Sequence, residues 1–544
     1  MAQLKERNCG LSTHFSIFLG INSFSVLTNI DRSIQAVFMK TIKKVLVANR
    51  GEIAIRVFRT LREMGIQSVA VYSESDKDAR FHRLADEAYC LGGTTSRESY
   101  LRQELLLEII KKSGADAVHP GYGFVSENAE FAKRCEENGI IFIGPKSSVI
   151  HALGDKIEAK KLATRAGVPV APSTPDSIDD VKEAKAFADK IGYPVLVKAS
   201  AGGGGKGMKK VEHGEEFESM FELAQAEAIS SFGDGRVFIE KYLENPRHIE
   251  IQMLLDEHGN GVWLNERECS IQRRNQKVVE EAPSAILSPQ MRQEMGECAI
   301  RLAKEVGYTN AGTCEFLVDK HMKFYFLEVN TRLQVEHPVT EMTTGLDLVR
   351  EQLHIAEGKA LSFSQSDVKI NGHAVECRIY AEDSENNFLP SIGKLQHYVE
   401  PQGLGVRVDS GVAQGGEISM YFDPMIAKLV THDIDRQKAI DKMLRALREY
   451  EIVGVETTIP FCIFTLEHEA FRSGRFDTHF VQNYYNNRVK QEPVTEVKEV
   501  AATLAVLLSE KQKSAPTSIA TTHAAPLPVQ NAPTTNWERR KAYR

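Results

Sequence analysis

Side chains alternate faces along a strand and recur every three or four positions along a helix, and from Lys43 onward the chain switches between these two rhythms. KKVLVAN predicts a strand, and Ile53, Val57, Leu61 and Met64 form a helical apolar stripe that Gly65 ends. QSVAVYS predicts the next strand, and AVHPGYGF, a helix around Phe131 and GIIFIGP continue the rhythm. Alternation of this kind predicts right-handed βαβ units over a parallel sheet. Near His151 the pattern changes: helical DKIEAKKLATRAG leads to Pro169, and the strand YPVLVKAS enters AGGGGKGMKKV. Later, GVRVDS and MIAKLVTHD predict strands and DRQKAIDKMLRALREY a helix, an α+β arrangement.

Residues 313–341 carry the densest polar pattern. Two strands with a turn at His321 and Met322 place Glu315 opposite Glu328, although His-Met is not a favoured hairpin pair. Alternation puts Glu328, Asn330 and Arg332 on one face and sends Tyr325, Leu327 and Val329 into a core. Facing carboxylates repel unless a cation sits between them. Magnesium commonly takes one or two carboxylates plus substrate phosphates. Arg332, Gln334, Glu336 and His337 then supply an anion clamp beside a candidate base. An amphipathic hairpin with a solvated charged face would carry the same pattern.

The four consecutive glycines, residues 202–205, permit close backbone approach to phosphate, with Lys198 as a point charge on the preceding strand. A flexible hairpin tip is the alternative. Gly207 follows Lys206 where a Walker loop needs Ser or Thr, and ANRGEIA lacks GxGxxG, so neither of those nucleotide motifs is present.

The 544 residues suggest about three or four domains. A net charge of −7 provides no general attraction to nucleic acid or anionic membrane. Eight cysteines without a CxxC pair point to a reducing compartment, hence the cytoplasm, without zinc ribbons or a disulfide framework. HExxH and any bilayer-length apolar run are also absent. Residues 1–38 read as a leader or upstream-start extension. Near the other end, Val497, Val500, Leu504 and Leu507 form a helical stripe, and residues 514–535 read as a linker or free tail.

The ordered series VANRGEIAIR, HPGYGFVSEN, FIGPKS, GDK, VKASAGGGGKGM, EKYLENPRHIE, ERECSIQRR, QKVVEEAP, LEVNTRLQVEHPVTEM and HAVECRIYAED resembles biotin carboxylase, the ATP-grasp enzyme or subunit of biotin-dependent carboxylases. The resemblance implies an α/β and α+β fold: a Rossmann-like N-terminal domain over 39–150 and an ATP-grasp domain over 151–370 whose mobile glycine-rich lid spans about 170–243. An α+β C-terminal domain over 371–486 follows, then a helix and disordered tail over 487–544. It also implies nucleotide contacts at Lys156, Lys198, Gly204, Gly205, Glu240, Lys241, Leu243, His248 and Gln272, and metal ligands at Glu315, Glu328 and Asn330. Lys277, Arg332, Gln334, Val335 and Glu336 correspond to the bicarbonate site, with Glu336 as general base, and Arg378 to the residue at the biotin ureido group. One motif departs: the family's QRRHQK is QRRNQK here, and Asn275 at that nucleotide-contact position cannot become cationic.

The implied reaction is ATP- and bicarbonate-dependent carboxylation of biotin through carboxyphosphate, with Mg2+ or Mn2+. The biotin sits on a separate carrier protein, since no Met-Lys-Met occurs in this chain. The implied partners are that carrier, a second copy of the chain and a carboxyltransferase subunit, with no nucleic acid and no membrane. The expected final acceptor is an acyl-CoA (acetyl- or propionyl-CoA), with pyruvate as the alternative. Other ATP-grasp ligases share the fold but not VNTRLQVEHP together with HAVECRI. A non-catalytic nucleotide-binding scaffold would have no need of Glu315, Glu328, Asn330, Arg332, Glu336 and Arg378 together.

Overall fold

Short apolar strands with polar flanks assemble first into a five-stranded parallel sheet: β1 (Lys44–Val47), β2 (Gln67–Tyr72), β3 (Glu87–Cys90), β4 (Ala117–His119) and β5 (Ile141–Phe142). Its order is β3-β2-β1-β4-β5. Val45 and Val47 of β1 enter one core and Leu46 the other, as a parallel sheet covered on both faces requires. Helix α1 (Gly51–Glu63) buries Ile53, Val57 and Leu61, the predicted stripe, and Met64 is its C-terminal cap. The computed structural model describes residues 41–200, 207–488, 503–504 and 506–507. Residues 1–38, Gly204, Gly205, Val497, Val500 and residues 514–535 therefore lie outside the described residues, while Leu504 and Leu507 are helical and exposed.

Helix α2 (Lys156–Arg165) starts at Asp155, whose carboxylate accepts the Ile157 and Glu158 amides at 2.9 and 3.1 Å. Beyond it, β6 (Val195–Ala199), β7 (Met208–Val211) and β8 (Val237–Lys241) form a small antiparallel sheet in the order β7-β6-β8. Helices α3 (Val181–Ile191) and α4 (Phe217–Phe232) cover it with a core of their own, built around Val195, Val197, Phe217 and Phe221.

The largest sheet has eight strands and joins the centre of the chain to its C-terminal part. Its strands are β9 (Arg247–Leu255), β10 (Gly261–Arg273), β11 (Gln276–Ala282), β12 (Asn310–Val318), β13 (Phe324–Asn330), β14 (His373–Tyr380), β15 (Val406–Ser410) and β16 (Met425–Asp433). They run in the order β13-β12-β9-β10-β11-β14-β16-β15, antiparallel throughout. The units read separately from the sequence thus share one hydrogen-bonded sheet. Strict alternation divides its faces: Ile249, Ile251 and Met253 of β9 enter the core, and His248, Glu250 and Gln252 stand on the polar face. Helix α5 (His337–Thr344) packs over that polar face against β10, β11 and β14.

The central hairpin pairs Glu315 with Glu328 as expected, but not through a two-residue turn at His321 and Met322: Val318 faces Phe324, one residue off that register, and a shift after Phe316 restores the Glu315–Glu328 pair. Its turn is organised by Asp319, whose carboxylate accepts the His321 and Lys323 amides at 2.8 and 2.9 Å, with Met322 at φ 59°. The predicted inward face is corrected at two of its three positions, Tyr325 and Leu327. Phe316 pairs with Phe326 and Glu315 with Glu328, so Leu327 is the extra residue of a β-bulge. Phe326 and Val329 enter the core, while Leu327 lines the adjoining cleft and Tyr325 is only partly buried.

Candidate active site

A cleft of about 920 Å3 separates the small sheet from the polar face of the large one. Every described residue of the predicted site lines it except Glu336, which lies fully buried behind Lys277 and Arg378.

At one end stand the lysines. Lys156 opens α2 and holds its ammonium 3.9 Å from Glu328. On β6, Lys198 donates to Glu240 of β8 at 3.0 Å, and Lys160 pairs with the other oxygen of that carboxylate. Burial, with Lys156 adding to it, brings the Lys198 ammonium down to about 8. Lys241 turns its amine onto the Gly192 and Tyr193 carbonyls at 2.9 and 3.0 Å, bracing the small sheet, and Leu243 supplies apolar wall. Gln272 donates to His248 Nδ1 at 2.7 Å. Asn275 and Arg274, at φ 65° and 50°, form the two-residue turn between β10 and β11. Asn tolerates that left-handed conformation well, so the residue that departs from the family motif suits its turn.

In the middle, Glu315 accepts from Asn330 at 2.8 Å, Gln334 at 3.1 Å and Lys277 at 2.8 Å, and its second oxygen lies 2.8 Å from His248 Nε2. Burial alone would raise its carboxyl, yet Lys277 and His248 hold it well below the usual range. Across the ladder, burial and the Glu315 charge push Glu328 up. A cation between the two would relieve that strain on ionisation. The carboxylates and the Asn330 amide form an all-oxygen donor set fit for Mg2+.

At the far end Lys277 donates to three carboxylates: Glu250 at 2.5 Å, Glu315 at 2.8 Å and Glu336 at 2.7 Å. Glu336 also accepts from Arg378 at 2.7 Å. Burial opposes its ionisation, but Lys277, Arg378 and Arg267 outweigh burial and hold it well below the ordinary carboxylate range. Arg332 is fanned over Glu127 at 3.0 Å, Gln334 at 2.8 Å and Asn330 at 3.1 Å.

Sequence reasoning missed four members of this cluster. Glu127, a few residues beyond HPGYGF, clamps Arg332 and the Thr331 amide. Within HPGYGF itself, His119 is buried, accepting the Gly121 amide at 3.0 Å and meeting Gln352 at 3.2 Å, so that segment is a structural turn. Glu250 sits between Lys277 and the fully buried Arg267, which also bonds Gln252, Thr340 and Thr313. Glu280 receives the Arg378 Nε at 2.6 Å and is pushed up to about 7 by burial. Glu127 lies in HPGYGFVSEN, Glu250 in EKYLENPRHIE, Arg267 in ERECSIQRR and Glu280 in QKVVEEAP, and the charge density of those segments was the signal that could have found them.

Three family models match in chain order: the biotin carboxylase N-terminal domain over residues 41–150, the carbamoyl-phosphate synthase L chain ATP-binding domain over 155–364, and the biotin carboxylase C-terminal domain over 376–483. A pyruvate carboxylase subunit from Methanothermobacter thermautotrophicus is 56% identical over 441 residues, covering 81% of this chain and 90% of that protein. The mitochondrial propionyl-CoA carboxylase alpha chain of Mus musculus is 54% identical over 458 residues, 84% of this chain, which spans 63% of that protein's length. The biotin carboxylase domain dimer of Hydrogenobacter thermophilus 2-oxoglutarate carboxylase, solved with MgADP, ADP and bicarbonate, is 49% identical with a TM-score of 0.81, covering 83% of this chain and all of that one (100%). Among the described residues no helix is long and apolar enough to cross a membrane.

Proposed function

The chain belongs to the biotin carboxylase family, with its mixed α/β fold and ATP-grasp centre, and on that premise we propose how its cleft carries out the ATP-dependent carboxylation of biotin. The enzyme is a ligase that uses ATP, Mg2+ and bicarbonate. Lys156 and Lys198 bind the phosphates, and Glu240, Lys241, Leu243, His248, Gln272 and Asn275 surround the nucleoside. Glu315, Glu328 and Asn330 would hold Mg2+, which supplies charge neutralisation on the phosphates. Gly204 and Gly205 join the nucleotide site in this reading.

Bicarbonate binds between Arg332, Gln334, Val335 and Lys277. Glu336 takes its proton, and the oxygen so freed attacks the γ-phosphorus of ATP, releasing ADP and forming carboxyphosphate. Carboxyphosphate breaks down to CO2 and phosphate, phosphate accepts the biotin N1 proton, and N1 attacks CO2. Arg378 stabilises the ureido oxygen as negative charge develops there. The observation that carries this reading is the buried junction of Glu336 with both Lys277 and Arg378 beside the nucleotide cleft. The test is phosphate release from ATP that depends on bicarbonate and rises with free biotin; ATP hydrolysis indifferent to bicarbonate would refute it.

In this reading the carboxyl group passes to biotin on a separate carrier chain, then through a carboxyltransferase subunit to an acyl-CoA, with the chain working as a homodimer in the cytoplasm. The propionyl-CoA carboxylase relative supports the acyl-CoA acceptor. The pyruvate carboxylase subunit, matched over 90% of its length, favours a 2-oxo acid as the second reading. Mass spectrometry of the affinity-purified complex, followed by carboxylation assays with each acceptor, separates the two.

A further inference from the structure

Lys428 is a lysine with no solvent exposure at all, on a strand that none of the motifs above includes. On β16 it stands directly beside Arg378 of β14 in the antiparallel register. Its Nζ donates to the Val335 carbonyl at 2.9 Å and faces Glu52 of α1 at 3.3 Å. Among the described residues no other side chain pairs with the Glu52 carboxylate, so this ion pair is what accompanies its burial. The Tyr122 ring of the HPGYGF turn closes the site 5.8 Å away. Three distant parts of the chain therefore converge on one ammonium group, and that group grips the peptide leading into Glu336.

A buried lysine is costly to desolvate and is kept only where partners compensate it. Neither the ATP nor the metal end of the cleft touches this one. We propose that Lys428 is a positioning residue for bicarbonate: by pinning the Val335 carbonyl it holds the peptide joining Val335 to Glu336, and so sets the base against the bicarbonate site. The inference rests on the proposed biotin carboxylase chemistry of the cleft. It assigns to α1 and β16 a part in that chemistry, exerted through Glu52 and Lys428.

The test is steady-state phosphate release by the full chain with bicarbonate and ATP varied separately. Three variants are compared: Lys428→Met, Glu52→Gln, and the two combined, which removes the cation together with the carboxylate it pairs with. Lys428→Met and the double variant raise the bicarbonate KM about five-fold or more and lower kcat, while the ATP KM stays within about two-fold. Glu52→Gln keeps the Lys428 contact with Val335 and shows the smaller change. If Lys428→Met fails to fold, the double variant decides. A folded variant lacking the cation with the parental bicarbonate KM, however much its Tm falls, overturns the inference. If the parent chain itself shows no bicarbonate-dependent turnover, the functional reading of the cleft fails instead.

Discussion

Arg378 Nη2 donates to Glu336 Oε2 at 2.7 Å, so the group assigned to the biotin ureido oxygen and the group assigned to the bicarbonate proton are in direct contact. The same guanidinium bonds Glu280 through Nε at 2.6 Å. In the proposed reading, biotin arriving at Arg378 competes for donors that hold two carboxylates in the free enzyme. Arg378→Gln removes charge-assisted bonds worth about 1.5–3 kcal/mol each. The stimulation of phosphate release by free biotin then falls about ten-fold or more, with a smaller loss in the biotin-independent rate. Stimulation of parental size in Arg378→Gln would contradict the assignment.

Glu328 and Glu315 face each other across the ladder, and burial together with the neighbouring charge already pushes Glu328 up. Glu328→Gln removes one donor of the proposed Mg2+ set and also relieves that repulsion. The variant folds with an unchanged or higher Tm, needs about ten-fold more Mg2+ or Mn2+ for half-maximal turnover, and regains part of its rate at high metal. A metal requirement equal to the parent's would remove Glu328 from the ligand set.

Lys198 has a pH signature. Its value in the folded protein, about 8, lies below the ordinary lysine value of about 10.4. Below pH 8 the buried ammonium is carried at a cost, which is relieved as pH rises from about 8 toward 10.4. ATP phosphates favour the ammonium form, so ATP binding at pH 8 takes up a proton, about half of one per site. Titration calorimetry in two buffers of different ionisation enthalpy measures this uptake, and Lys198→Met abolishes it. Equal enthalpies in both buffers for the parent would show that Lys198 is already fully charged before ATP binds.

Local patterning carried much of this architecture. Alternation in 313–330 was enough to put Glu328 and Asn330 on the cleft side of the strand, and the stripe Ile53, Val57, Leu61 was enough for α1. The bulge at Leu327 was not legible, because residues 324–327 read Phe-Tyr-Phe-Leu and an unbroken apolar run hides the change from a two-residue to a three-residue inward spacing. The charged cluster was only half legible for a topological reason. Lys277, Glu250 and Glu315 meet because β9 and β10 lie between β12 and β11, an order that chain sequence does not reveal. Lys428 was hidden for the same reason: a lone lysine in an apolar strand reads as solvated until the strand is placed beside β14.

The central claim is that Glu336 is the base. Burial would keep it protonated, but Lys277, Arg378 and Arg267 hold it well below the ordinary carboxylate range, so it is ionised and able to accept a proton across the neutral range. Its ionic contribution to stability is present above the unfolded carboxylate value of about 4.3 and is lost as pH falls through its depressed folded value. Glu336→Gln keeps size and hydrogen bonding but cannot take the proton. Phosphate release by Glu336→Gln is the measurement that decides, with ATP affinity followed by nucleotide titration and folding by thermal melt. The account predicts near-parental ATP affinity and a loss of bicarbonate-dependent turnover of about 10²–10⁴-fold that added metal does not restore. Turnover at the parental rate, or recovery with metal as expected for Glu328→Gln, would contradict it.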